Sequence, residues 1–335
     1  MKNKPLLYSV TIALLIIYFS VLHAEMDVIE EPLQHKELVI VEQEEVIVEK
    51  EHFVYIPDSH NSRIQVFDLQ GNNVSMFGKY GSDNGSFRMP SDVVETWAGI
   101  YVLDKGNARI QVFDKEYNYL FSFGKEVLKW PIGFTIANDT VYVANTYKSK
   151  ISVFTLNGTH LHSFGSLGTE EGQFRYVTDV AVDEEHIYVL DTNNHRIQKF
   201  TQNGTFVTTW GTYQLADEGM RFPMGLILYG ETLYVSDPIH GMIKIYTTNG
   251  TLLQMIGSFG REEDQFRFNS KLWEVEDMLY IADTRNNRIK TYYPNGTLAF
   301  NFGKFGTGEG EFRAPGVLRI FGNNKLINKT INGTG

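Results

Sequence analysis

The sequence predicts an all-β chain, a six-bladed propeller of four-stranded antiparallel blades behind an apolar N-terminal helix. The first ground is a repeat. Tyr55, Tyr101, Tyr142, Tyr188, Tyr234 and Tyr280 are separated by 46, 41, 46, 46 and 46 residues, and Ile64, Ile110, Ile151, Ile197, Ile243 and Ile289 follow the same steps. Gly78, Gly124, Gly165, Gly211, Gly257 and Gly303 stay in register, so six copies are present, the second short by five residues between Gly124 and Tyr142. A period of this length marks a solenoid, a propeller or an array. The second ground is the content of each copy. In the fourth, the runs beginning Asp179, Ile187, Arg196 and Thr205 are short, rich in β-branched and aromatic residues, and bounded by Asn, Asp or Gly. Four such strands per unit describe a propeller blade.

Taken in chain order, Lys2 and Lys4 precede an apolar run from Leu6 to Leu22, which gives way at Ala24 to acidic sequence. That is the layout of an export signal. The run is long for a cleaved peptide and short for a full span, so residues 1–24 read as a signal peptide or as a signal anchor at the membrane, with the rest outside the cytoplasm. Residues 25–44 form an acidic leader. Between Glu25 and Glu51 ten acids face only Lys36 and Lys50, a solvated spacer by composition. Its second half, Leu38–Val41 and Val46–Val48, is β-like. The propeller is expected over 45–328 and a tail over 329–335. Within it, Asn157-Gly158, Asn203-Gly204, Asn249-Gly250 and Asn295-Gly296 join the third and fourth strands, a pair suited to type I′ hairpins.

Composition narrows the function. With 40 acidic against 30 basic residues the formal charge is −10, which disfavours a nucleic-acid surface, and the absence of Cys removes disulfides and thiolate zinc sites. No nucleic-acid partner is expected.

The stretches Asp58–Phe67, Asp104–Phe113, Asp191–Phe200 and Asp283–Tyr292, with the linkers ending Phe-Arg-Met-Pro90 and Phe-Arg-Ala-Pro315, resemble the NHL repeat. The resemblance spans about residues 45–325 and implies a six-bladed propeller whose first strands line a central channel. Closure is ambiguous. A seventh copy begins at Gly316 and stops after two strands, while Val46–Val48 stands where blade one needs a first strand. Either the C-terminal strands complete blade one or residues 38–48 complete a seventh blade; six blades are preferred.

The recurring Asp, Asn and Arg of the loops read as scaffold, because Asp accepts backbone N–H bonds, Asn tolerates a left-handed turn and Arg closes on the Asp. The Tyr and Phe columns read as core between blades. Nine Asn-x-Ser/Thr sequons occur, at Asn73, Asn84, Asn138, Asn157, Asn203, Asn249, Asn295, Asn328 and Asn332. The four at the hairpin turns, Asn157, Asn203, Asn249 and Asn295, are candidate glycosylation sites on one face. The opposite face carries Arg88, Arg175, Arg221, Arg267 and Arg313, either an anion site around the channel or salt-bridged partners of acids such as Glu170, Glu171 and Asp264. Blade five departs from the pattern, and Ile239, His240 and Met242 with Tyr213 and Leu215 make a candidate apolar patch. At the channel mouth, Asp92 and Asp179 alternate with Gly133 and Gly225 and end at Lys271; the two carboxylates could share a divalent cation such as calcium or pair with the lysine.

Some proteins with NHL-type repeats are amidating lyases that hold zinc by several His, but His60, His195 and His240 fall at different offsets and do not converge. A calcium-dependent lactonase or esterase of the wider superfamily would draw on Asp92, Asp179 and Glu274, a thin set. RNA-binding members use a strongly basic face, which this chain lacks. The expectation is an exported, non-catalytic scaffold at the cell surface that needs no cofactor and binds a protein or a small anionic ligand. The alternative is a metal-dependent lyase or hydrolase at the channel mouth.

Overall fold

The structure, a computed structural model, describes residues 44–330 except 276, 277, 294, 317 and 318. The expected N-terminal helix, most of the acidic leader and the last five residues lie outside the described residues, as do the side chains of Lys271, Glu274 and Asn328. The chain divides into two units: Val48–Leu326, which is the propeller, and Met1–Ile47 with Ile327–Gly335, of which only strand ends are described. Among the described residues no helix is long and apolar enough to cross a membrane.

Six four-stranded antiparallel sheets follow one another. Blade four is representative, with strands Val177–Val182, His186–Asp191, Arg196–Thr201 and Phe206–Trp210 in that order from channel to rim. First strands of neighbouring blades touch each other, which places them around the axis. The second strand is buried over Ile187–Asp191, whereas the outer strand has its centre exposed. That gradient explains the composition, because a strand covered on both faces needs apolar residues without alternation.

The ring closes with six blades. The sheet of blade one runs Asn73–Phe77, Arg63–Phe67, Glu44–Asp58, Arg319–Thr330, so the C-terminal strand supplies its innermost position. Val46–Val48 is no separate first strand: it belongs to the long second strand that carries Tyr55. Closure removes the exposed edges that a terminal half-blade would leave.

Each pair of neighbouring blades shares one apolar cluster. Between blades three and four, Tyr142, Ile151 and Val153 meet Val180, Ile187, Val189 and Phe200. Between blades six and one, Tyr280 and Ile289 meet Val54, Ile56 and Phe67. The linker adds one large apolar side chain to each such cluster, Phe in four of them and Leu128 or Met220 in the other two, and the recurring glycine answers to it. Gly165 has φ +91°, and a Cβ there would sit 2.2 Å from the Phe174 ring.

The hairpin turns differ from expectation. Asn157, Asn203, Asn249 and Asn295 keep negative φ, and only the glycines after them are left-handed, so the turns are not type I′. Gly158 N–H bonds to Thr155 C=O at 3.0 Å and Thr155 N–H to Thr159 C=O at 3.0 Å. The loop therefore has three residues, a type I turn followed by a left-handed Gly, with a bulge at Val153/Phe154.

Candidate functional site

The face formed by the linkers and by the turns between second and third strands is built on one buried acceptor side chain per blade, an Asp in five blades and Asn145 in blade three. In blade four, Asp191 Oδ2 accepts bonds from Asn194 (2.8 Å), Arg196 Nε (2.9 Å) and Gln198 (3.2 Å). Arg196 and Gln198 also donate to the linker carbonyl of Gln173, at 3.0 and 2.7 Å. The ion pairs Arg63–Asp58, Arg109–Asp104 and Arg288–Asp283 repeat the arrangement at 2.9–3.0 Å. Burial pushes the Asp104 and Asp191 carboxyls up, against the opposing pull of these hydrogen bonds and of the paired Arg. The recurring loop Asp, Asn and Arg thus form a latch on the incoming linker, as scaffold residues should.

The same carboxylates explain where the linker arginines stand. Arg88, Arg175, Arg221, Arg267 and Arg313 donate their backbone N–H to Asp104, Asp191, Asp237, Asp283 and Asp58 at 2.7–3.0 Å. The register fixes the main chain and leaves the guanidinium outside the latch, although Nε of Arg221 is buried without a hydrogen-bond partner. Among the described residues none of the five pairs with a carboxylate, so the salt bridges to Glu170, Glu171 or Asp264 are not formed. Arg88, Arg175 and Arg313 are exposed, and Arg88 and Arg221 lie over the rings of Tyr80 and Tyr213 at 5.5 and 5.8 Å. The sixth position is filled: Lys129 donates its N–H to Asn145 at 2.8 Å. The deletion hid it, although Lys129-Trp-Pro131 against Arg88-Met-Pro90 carried the signal.

Two further features of the linkers were not read from the sequence. The residue after each cation is left-handed without being Gly: Met89, Trp130, Tyr176, Phe222, Phe268 and Ala314 have φ between 51° and 62°. Such a conformation costs roughly 1–2 kcal/mol for a residue with a Cβ. In blades three to six the residue is aromatic, so four cation–aromatic pairs line one arc of the face. Earlier in the linkers, Tyr80, Leu167, Tyr213, Phe259 and Phe305 occupy one repeat position and are 72%, 74%, 49%, 58% and 69% exposed. Core packing does not account for apolar side chains that stand in solvent.

The blade-five patch is only partly assembled. Tyr213, Leu215 and Ile239 are exposed and are joined by Phe222 and His195, whose rings are 4.5 Å apart. His195 accepts the Phe222 N–H at 3.2 Å, and burial lowers its pKa. His240 is not on the surface. It is buried in the latch, 2.8 Å from Asp237, because blade five replaces the usual Asn, Arg and Gln by His240, Met242 and Lys244, and Lys244 Nζ pairs with Asp237 at 2.8 Å. Met242 is half-buried.

At the channel, Asp92 and Asp179 are buried and bridge neighbouring first strands. Asp179 accepts the Leu226 N–H at 2.7 Å, and a Cβ on Gly133 would stand 2.4 Å from its Oδ1, which explains the glycine. Asp92 accepts the Phe134 N–H at 3.1 Å and both Arg319 Nε and Nη2, at 3.2 and 3.3 Å. A cation held by Asp92 would have to displace this guanidinium. Among the described residues no group of three or more His, Asp or Glu stands ready for a metal. The turn asparagines Asn157, Asn203, Asn249 and Asn295 are exposed on the opposite face.

Comparison with known proteins agrees on the architecture. Residues 174–200 match the NHL repeat family. No curated protein matches in sequence. Among solved structures, a chain of a nidogen/laminin complex superposes with TM-score 0.61 at 12% identity, over 80% of this chain and 98% of that one. A streptogramin B lyase gives 0.56 at 12%, over 83% and 98%, and the virginiamycin B lyase of Staphylococcus aureus gives 0.51 at 13%, over 77% and 88%. At such identities the likeness is one of fold. A repeat of 46 residues, six latched blades and a family match on the fourth of them identify the chain as an NHL-repeat six-bladed β-propeller.

Proposed function

We propose that this propeller is an exported, non-catalytic scaffold that binds a partner protein on its linker face, with the hairpin face carrying glycans at Asn157, Asn203, Asn249 and Asn295. The observation that supports it most is the arc of blades three to six, where Lys129-Trp130, Arg175-Tyr176, Arg221-Phe222 and Arg267-Phe268 follow one another beside exposed apolar residues. Arg, Tyr and Trp dominate the energetics of protein interfaces, and a rigid ring presents them without a large ordering cost. A chain of similar fold occurs in a nidogen/laminin complex, in keeping with such a use.

The test captures proteins from the exterior of the chain's own cells with the full chain and with a variant carrying Arg175→Glu, Arg221→Glu and Arg267→Glu. The latches use the backbone of these residues, and an unchanged unfolding midpoint verifies that the variant is folded. Loss of a captured partner is the expected result. Capture that survives the three reversals and is abolished by changes on the hairpin face overturns the proposal.

A further inference from the structure

The linker into blade three is five residues short, and among the described residues it forms no two-stranded ribbon of the kind that walls the linker into blade four, where Ser166–Leu167 pairs with Gln173–Phe174. The missing wall leaves a cleft of about 610 Å³ between blades three and four, within the size range of ligand sites. Lys129, Tyr147, Lys148, Leu167, Arg175 and Tyr176 line it, and no Asp or Glu does. Trp130 stacks on Tyr147 with centroids 5.8 Å apart and planes at 21°, and Tyr147 lies 6.3 Å from Tyr176. The three rings form a row, and each has a cation as its chain neighbour: Lys129-Trp130, Tyr147-Lys148, Arg175-Tyr176. Lys105 Nζ adds a fourth charge, 5.4 Å over the outer ring. Tyr147 and Leu167 are 55% and 74% exposed, so large apolar surface stands open beside unneutralised charge.

We infer that this cleft takes an extended acidic peptide segment of the partner, its apolar side chains on the rings and its carboxylates on the cations. The inference rests on the protein-binding reading of the linker face. The ring spacing favours a peptide: alternate side chains of an extended strand are about 6.6 Å apart, close to both intervals in the row. The charge favours acid, because carboxylates entering a lining without acids meet Lys and Arg alone.

The probe is a blocked, fluorescent hexapeptide of alternating Glu and Phe, titrated with the full chain and followed by anisotropy. Saturable binding is expected, weakened about tenfold or more, some 1.4 kcal/mol, by Tyr147→Ala and by Lys148→Glu with Arg175→Glu. A hexapeptide of alternating Lys and Phe should bind at least about tenfold more weakly. Tyr147 and Lys148 are exposed and Arg175 holds its latch through the main chain, so an unchanged unfolding midpoint verifies that the variants are intact. Equal binding of the two peptides, or indifference to the substitutions, overturns the inference. Tighter, cleft-dependent binding of a heparin oligosaccharide also overturns it and assigns the cleft to an acidic glycan. If the Glu-Phe peptide fails while partner capture still depends on Arg221 and Arg267, the cleft inference falls and the scaffold reading stands; capture indifferent to the whole face removes the scaffold reading.

Discussion

Blades four and five latch their linkers with the same carboxylate and different cations. Asp191 works with Asn194, Arg196 and Gln198, and the Arg196 side chain is 14% exposed; Asp237 works with His240 and Lys244, and the Lys244 side chain is wholly buried. Both hold the same backbone N–H of the linker, from Arg175 and Arg221. The geometry of the face therefore depends on one acceptor, and the donors around it are free to change. The difference lies in what remains when the acceptor is removed.

Asp237→Ala leaves a buried ammonium unpaired and should cost roughly 3–5 kcal/mol, read by urea unfolding. Asp191→Ala should cost less, because the partly exposed Arg196 can turn to water and keeps its carbonyl partners. The reverse order would break the comparison. A triple change of blade five to the blade-four set, His240→Asn, Met242→Arg and Lys244→Gln, should stay within about 1.5 kcal/mol of the parent, because it keeps a cation and hydrogen-bond donors on Asp237.

Blade six sharpens the point through pH. It keeps Asp283 and Arg288 but has Lys290 where blade four has Gln198. Burial, then the nearby Arg288, lowers the Lys290 ammonium to about 8 from 10.5. The unfolded chain holds that proton more tightly, so stability should rise as pH climbs from about 8 to 10.5. Lys290→Gln should gain roughly 1 kcal/mol at neutral pH after allowance for screening, and the gain should shrink across the same window. A constant difference would mean that the fold leaves the lysine to titrate as it does in the unfolded chain. The smallest expected effect is that of calcium, which should leave the unfolding midpoint where it is. A rise would show Arg319 yielding Asp92 to the ion and would favour the metal-dependent alternative.

The period, the blade content and the scaffold role of the loop Asp were legible because each repeats six times or nearly so. Ring closure was not, since Val46–Val48 and the strand from Arg319 are equally β-like and only pairing separates them. The linker cations were visible as a column, but their bond is made by main-chain N–H, which no side chain reports. The left-handed aromatics ran against the usual association of that conformation with Gly and Asn. His240 looked like surface because its neighbours are, yet it holds the place of Asn194, whose side chain bonds the latch carboxylate in blade four.

The strand that fills the innermost place of blade one is the last of the propeller to be synthesised, and the sheet it completes is the first. The cluster in which Ile320 joins Val54 and Phe67 therefore cannot form until nearly the whole chain has left the ribosome. Contacts so distant in sequence are slow to make. A nascent chain halted after Phe302 would lack Phe312 and Ile320 in the cluster between blades six and one, and blade one would have no innermost strand.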